Sequence, residues 1–174
     1  MSVTIVRGVP GSGKSTWVAE KFEKFGNLAR PVWAFYKSPE SIEGVRPVDL
    51  GAIFSTDDAY LSEARVYEFD FRRLGEAHGT CLRKFTEYVQ NTSNAVPVVV
   101  DNTSTSVSEV APYAAIALAY GHTLSIITLL CDPAVAAARN THGVPEKSVL
   151  AMDKRLREEG KLLPPYWPHE VLGQ

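Results

Sequence analysis

Gly8-Val9-Pro10-Gly11-Ser12-Gly13-Lys14-Ser15, followed by Thr16, is the stretch that decides how this chain folds. It satisfies G-x-x-x-x-G-K-[ST] at every position, and its flanks are those the pattern requires. Residues 3–7 before it form a short apolar run that reads as a strand. Residues 15–25 after it read as a helix that ends near Gly26. The glycines let the backbone curl closely enough for successive N–H groups to surround a phosphate. The helix N-terminus adds a favourable dipole, Lys14 a mobile positive charge and Ser15 a hydroxyl for Mg²⁺. A nucleoside triphosphate site built from Gly8, Pro10, Gly11, Ser12, Gly13, Lys14, Ser15 and Thr16 follows.

Working outward, short apolar runs alternate with longer helical segments. That is the pattern of an α/β fold, a parallel sheet flanked by helices on both faces in three layers. Residues 96–100 are the clearest strand: four valines and one proline, without alternation, suited to burial on both faces. Residues 52–55 and 124–130 read as further strands. Helices are expected at 71–90, at 107–120 (stopped by Gly121), at 133–140 and at 145–157. Asp132 is placed to cap the third of these, with proline at its first position.

Two stretches fall outside the alternation. Residues 27–51 contain Pro31, Pro39 and Pro47 with a short candidate strand at 32–36, and read as an insertion or functional loop. Residues 161–174, with Pro164, Pro165 and Pro168, cannot be one helix. They are expected to form an irregular tail draped over the core through Tyr166 and Trp167. The length, residues 1–174, suits a single domain.

The composition, 45% hydrophobic and 22% charged, is that of an ordinary soluble protein. No apolar run approaches the roughly 20 residues of a membrane helix. The N-terminus does not read as a secretory signal, so a cytoplasmic setting is expected. Cys81 and Cys131 form no CxxC pair and read as free thiols. The four histidines lack zinc-ligand spacing. A net charge of −2 argues against a broad nucleic-acid footprint but leaves room for a small basic site that accepts one strand end or one nucleotide.

In open α/β sheets ligands sit beyond the carboxyl ends of the strands. Asp101 directly follows residues 96–100, and Asp57-Asp58 follow residues 52–55. These carboxylates are candidates to deprotonate an attacking hydroxyl and to hold Mg²⁺; capping a helix is the lesser alternative for each alone. Phosphoryl transfer also needs positive charge around the migrating group. Arg139 stands just before the lid-like turn Asn140-Thr141-His142-Gly143, and His142 is a second candidate for phosphate contact. Arg72-Arg73, Arg83-Lys84 and Lys154, Arg155 and Arg157 lie on helices, where a solvated face is the more ordinary reading.

With these residues in view, the chain resembles the polynucleotide 5′-kinase branch of the P-loop kinases, which includes the kinase domains of phage end-healing enzymes and of related DNA-repair proteins. The selective segments are Ser55-Thr56-Asp57-Asp58, Gly75-Glu76-Ala77-His78, Val100-Asp101-Asn102-Thr103 and Arg139-Asn140-Thr141-His142-Gly143. The resemblance implies a P-loop kinase fold, ATP and Mg²⁺ as cofactors, and a DNA or RNA acceptor. It makes Asp57 the general base, Lys14 and Arg139 catalytic phosphate contacts, and Ser15 and Asp101 the metal ligands. The acceptor side falls to Asp58, Tyr60, Asp101, Asn102 and Arg72.

Two departures bear on that assignment. Relatives carry the lid arginine just before the glycine, where this chain has His142, so Arg139 and His142 both remain candidates. Phage-type enzymes also carry an acceptor-binding arginine three residues beyond the base, where this chain has Tyr60. With no second D-x-D motif and no ligase lysine motif, the chain is expected to be a kinase alone.

Four readings follow: a kinase for the 5′-hydroxyl of DNA or RNA; a kinase for the hydroxymethyl group of a modified pyrimidine in phage DNA, which an aromatic Tyr60 suits; a small-molecule kinase for a nucleoside or sugar; and an ATP-dependent binding module. Asp57 beside a complete P-loop weighs against the last, since a switch needs no acceptor base.

Overall fold

The structure, a computed structural model, describes residues 1–22, 52–60, 67–91 and 97–173. The insertion expected at 27–51, with its strand at 32–36, lies outside the described residues. Five strands form one parallel sheet: β1 (Ser2–Arg7), β2 (Ala52–Phe54), β3 (Pro97–Asp101), β4 (Thr123–Leu130) and β5 (His169–Gly173). Their order is β2-β3-β1-β4-β5, so β1, which leads into the glycine-rich loop, is central. Val3 pairs with Val98 on one side and with Leu124 on the other.

The strands carry apolar side chains on both faces because helices cover both. On one face Val3, Ile5, Val98, Val100 and Ile126 pack under two helices, α2 (Leu74–Asn91) and α3 (Val107–Ala119). Phe54 meets Phe85 of α2 edge-on at 5.6 Å. On the other face Val6, Val99, Ile127 and Leu129 pack against Val18 of α1 (Lys14–Phe22). A third apolar cluster lies beneath α4 (Pro133–Arg139) and α5 (Glu146–Gly160), where Val9 meets Ala136, Val149 and Leu156. It holds the first turn of the glycine-rich loop against the two C-terminal helices.

The local signals behave as their chemistry dictates. Asp132 caps α4, its carboxylate accepting from the N–H groups of Ala134 and Val135 at 2.9 and 3.2 Å. Glu109 reaches back to the N–H of Ser106 at 2.9 Å, closing the first turn of α3. The helix expected over 71–90 begins as a 3₁₀ turn, Phe71–Arg73, because Asp70 accepts from the Arg72 N–H and tightens the entry.

The tail departs from expectation. It was expected to be irregular, yet its last residues form β5 beside β4, and Ile126 N–H donates to Pro168 O at 2.8 Å. Prolines exclude a helix here but not an edge strand, where a missing N–H is tolerated at the strand start. His169–Gly173 is mostly exposed and has no apolar run to announce it. Of the two aromatic side chains expected to drape over the core, Trp167 is buried in it, whereas Tyr166 is 75% exposed. Cys81 and Cys131 are buried free thiols. Among the described residues no helix is long and apolar enough to cross a membrane.

Candidate active site

The carboxyl ends of β1, β2 and β3 open into one cavity of about 660 Å³. The glycine-rich loop forms its floor. Gly11 has φ +77°, and a Cβ there would overlap the carbonyl of Ala136, so the loop lies directly on α4. A Cβ at Gly8 would come within 2.9 Å of the Leu129 carbonyl. The Gly8 N–H donates to Thr103 O at 3.0 Å, fastening the loop to the exit of β3.

Pro10, Gly11, Gly13, Lys14, Ser15 and Thr16 line the cavity. Gly8 and Ser12 do not; Ser12 is fully buried inside the loop, and its hydroxyl has no hydrogen-bond partner among the described residues. These two shape the turn, while their neighbours face the space above it.

Ser15 Oγ donates to Asp101 Oδ2 at 2.8 Å, joining α1 to the end of β3. Burial pushes the Asp101 carboxyl up, opposed by the nearby Lys14 ammonium and the Ser15 hydrogen bond. Burial likewise pulls the Lys14 ammonium down, opposed by Asp101 and Asp57. Lys14 Nζ rests on Val9 O at 3.0 Å. The site therefore sets an amine and a carboxyl group, both short of solvation, side by side, an arrangement that a charged ligand can complete. Two oxygens from separate elements at one spot also fit Mg²⁺, a hard cation that takes few protein ligands and shares the rest with phosphate and water.

Asp57 stands on a 3₁₀ turn, Thr56–Tyr60, that follows β2 after one residue. That turn is anchored by Asn102, whose Oδ1 accepts from Thr56 N–H at 2.8 Å and from Thr56 Oγ1 at 3.1 Å. Asp57 thereby faces the same cavity as Lys14 and Asp101. Tyr67 donates its hydroxyl to Asp57 Oδ1 at 3.1 Å. His142 Nε2 stands 4.0 Å from Asp57 Oδ2; the end of α4 brings Arg139 to the cavity wall, and the lid-like turn after it brings His142.

A family model described as an AAA domain matches residues 3–157. The chain belongs to the AAA domain family. Among the solved structures this AAA domain is similar to, at low identity, are the following three. A sugar kinase from Janibacter sp. is 16% identical, covering 99% of this chain and 85% of that one with a TM-score of 0.51. Deoxyadenosine kinase from M. mycoides, solved with bound dCTP, is 14% identical over 98% of this chain and 89% of that one, at 0.52. The tunicamycin resistance protein of Deinococcus radiodurans is 13% identical over 98% and 85%, at 0.53. The shared architecture is the three-layer, P-loop kinase-like fold.

Within this AAA domain several residues expected at the acceptor side stand elsewhere. Asp58 turns away from the cavity into a small pocket with Cys81 and Lys84 under α2. Successive side chains on a 3₁₀ turn point about 120° apart, so Asp57 and Asp58 cannot share a face. Arg72 is also absent from the cavity. Its guanidinium lies against Asp70, with Nε–Oδ1 at 2.9 Å and Nη2–Oδ2 at 3.0 Å, on the exposed entry to α2. Asn102 lines the cavity, but its oxygen is engaged by Thr56 and its Nδ2 lies 3.8 Å from Cys81 Sγ. Tyr60 lines the cavity from a buried position, packed on Phe69 at 4.9 Å.

Sequence reasoning missed Tyr67, Phe69, Glu109 and Arg155 as residues of the cavity wall. Arg155, grouped with a solvated helix face, donates from Nε to Thr105 Oγ1 at 2.8 Å. Its only sequence signal was its place one residue before the buried Leu156, at the edge of the inward face of α5. Arg7 was passed over as well. It is fully buried and donates to Ser104 O at 2.8 Å and Thr105 O at 3.2 Å, so it secures the segment after Asp101.

The misplaced Asp58 carries its own test. Burial pushes its carboxyl up to about 7, with Lys84 acting in the opposite sense. Its folded value lies above its unfolded one, so its stabilising contribution is full below about pH 4 and is lost as pH rises to about 7. Between about pH 4 and pH 8, Asp58→Asn is expected to gain stability relative to wild type. The gain should be on the order of 2 kcal/mol, allowing for partial exposure. Denaturant unfolding at a series of pH values reads this directly, and parallel stability curves would refute the assignment.

Proposed function

We propose that this chain is an ATP-dependent kinase that transfers the γ-phosphoryl group to a hydroxyl of nucleic acid, the 5′-hydroxyl of DNA or RNA. The observation that carries the reading is the placement of Asp57, on an anchored turn, across one cavity from Lys14 and the Ser15–Asp101 pair. A kinase needs an acceptor base opposite a phosphate cradle, whereas a nucleotide-dependent binding module does not.

In this reading the loop N–H groups and Lys14 bind the β- and γ-phosphates and stabilise the charge that spreads over them during transfer. Ser15 and Asp101 hold Mg²⁺, which neutralises phosphate charge when bound. Asp57 accepts the proton of the acceptor hydroxyl as its oxygen bonds to phosphorus, and ADP leaves with the electrons of the broken P–O bond. Arg139, at the end of α4 beside the loop, adds positive charge around the migrating group.

The acceptor wall favours a planar group. Phe69 lines the cavity, is 52% exposed, and is braced from behind by the buried ring of Tyr60. Tyr60 is thus a support, and Phe69 offers the face on which a base can stack. The same wall suits a hydroxymethyl pyrimidine in DNA, which is the second reading. The similar folds of a sugar kinase and a deoxyadenosine kinase add a third, a small acceptor, consistent with a cavity of about 660 Å³.

Incubation with γ-labelled ATP and a panel of acceptors separates these readings. Label on a 5′-hydroxyl oligonucleotide is the expected result. Label only on DNA containing hydroxymethyl pyrimidine, or only on free nucleosides or sugars, would move the assignment accordingly. Phosphate release without any labelled acceptor would overturn the kinase. Phe69→Ala is expected to raise KM for the acceptor roughly 5- to 100-fold, the scale of one lost base stack, with KM for ATP unchanged.

A further inference from the structure

Both oxygens of the Asp57 carboxylate are addressed, and from different parts of the chain. Oδ1 accepts from the Tyr67 hydroxyl at 3.1 Å, and Oδ2 faces His142 Nε2 at 4.0 Å. The Tyr67 and His142 rings also touch each other, their centroids 4.7 Å apart and tilted by 58°. Tyr67 lies just ahead of α2, whereas His142 lies in the turn between α4 and α5.

That turn is itself braced. Asn140 donates from Nδ2 to Val144 O at 2.8 Å and accepts from the His142 N–H at 3.0 Å, and Gly143 takes φ +68° to close it. The start of the turn rests on the phosphate loop, where a Cβ on Gly11 would lie 3.1 Å from Asn140 N. A continuous set of contacts therefore runs from the nucleotide floor through the Asn140 turn and His142 to Tyr67 and Asp57.

We propose that Tyr67 and His142 are positioning residues that together orient the Asp57 carboxylate, so that the acceptor base is aligned when the 140–144 turn is seated on the phosphate loop. The inference rests on Asp57 being the acceptor base. A lone carboxylate on a half-exposed turn rotates freely about its last torsion and presents either oxygen in many directions. The phenol holds Oδ1, and the imidazole edge limits the swing of Oδ2, which is left to meet the incoming hydroxyl. Burial and the neighbouring Asp57 push the Tyr67 phenol up, so it remains a donor at neutral pH. The turn seated on the phosphate loop thereby reaches the acceptor side through His142.

Steady-state kinetics on Tyr67→Phe, His142→Ala and His142→Gln test this in the full chain, beside the Asp57→Asn reference. Tyr67→Phe keeps the ring and its packing, and thermal unfolding checks that each variant is folded. The expected result is a fall in kcat of roughly 10- to 100-fold for Tyr67→Phe and for His142→Ala, the scale for a misplaced reacting group, with ATP affinity unchanged. His142→Gln, which restores a hydrogen-bonding edge, is expected to recover part of the loss. Adding Tyr67→Phe to Asp57→Asn is expected to cost nothing further, because the hydroxyl acts only through the carboxylate. Unchanged kcat, or a loss that appears only in ATP affinity or unfolding temperature, would overturn the proposal. So would full additivity with Asp57→Asn. Failure of the underlying kinase reading shows separately, as Asp57→Asn with wild-type transfer.

Discussion

Asp57→Asn is expected to keep nucleotide binding and to lose phosphoryl transfer by roughly 10²–10⁴-fold, the range for a removed general acid or base. The substitution conserves volume and leaves an oxygen for the Tyr67 hydroxyl, which lies 3.1 Å away in the wild type. The turn itself is held through Thr56 by Asn102 and not by the Asp57 carboxylate, so the backbone has no reason to move. What disappears is the group able to take a proton from the acceptor. Titration with a fluorescent ATP analogue and transfer assays on the same preparation separate the two effects. A variant that transfers phosphate at nearly the wild-type rate would sink the base assignment, and one that no longer bound nucleotide would place Asp57 on the donor side.

Lys14→Ala is expected to reduce transfer by roughly 10²–10³-fold, the scale for a lost preorganised charge contact at a developing negative charge. Its ammonium is partly buried, held on Val9 O at 3.0 Å, and faces Asp101 and Asp57 across the loop. Removing it leaves those carboxylates without their local cation, and their repulsion of a triphosphate grows. Nucleotide affinity should therefore fall along with kcat, unlike in Asp57→Asn. Near-normal turnover in this variant would contradict the phosphate-site reading of the whole loop. The two variants thus divide the cavity into a donor half and an acceptor half by different signatures.

The donor half was legible because its determinants are local. A glycine-rich turn between an apolar strand and a helix can close in essentially one way, and its lysine and serine follow from their places in that turn. The same holds for the Asp132 cap of α4 and the valine run of β3, where backbone chemistry or double-sided burial leaves a mark in consecutive residues. The rule that ligands sit beyond strand ends in such sheets, which depends on strand order only weakly, pointed to Asp57 and Asp101, and both line the cavity.

The acceptor half was less legible because its residues act across elements. Asp58 and Asp57 are adjacent in sequence, yet one faces the cavity and the other the underside of α2. A one-residue step on a tight turn rotates the side chain by about a third of a circle, and no composition signal records which residue ends inside. Arg72 looked like a substrate contact but pairs with Asp70 two residues away. Tyr67 and Phe69 lie in a stretch, residues 67–78, that shares the resemblance to the polynucleotide kinases but assigns them no role, and Arg155 lies in none.

By itself, then, the sequence determined a parallel α/β domain with a glycine-rich P-loop after its first strand, and two carboxylates at strand ends beside it. Only the tertiary structure decided that β5 comes from the proline-rich tail, that Tyr60 supports Phe69, and that Tyr67 and His142 close on Asp57 from separate elements. The reason is one of range. Backbone conformation and burial are written in neighbouring residues, whereas the direction of a side chain and the partner it meets depend on how distant elements pack.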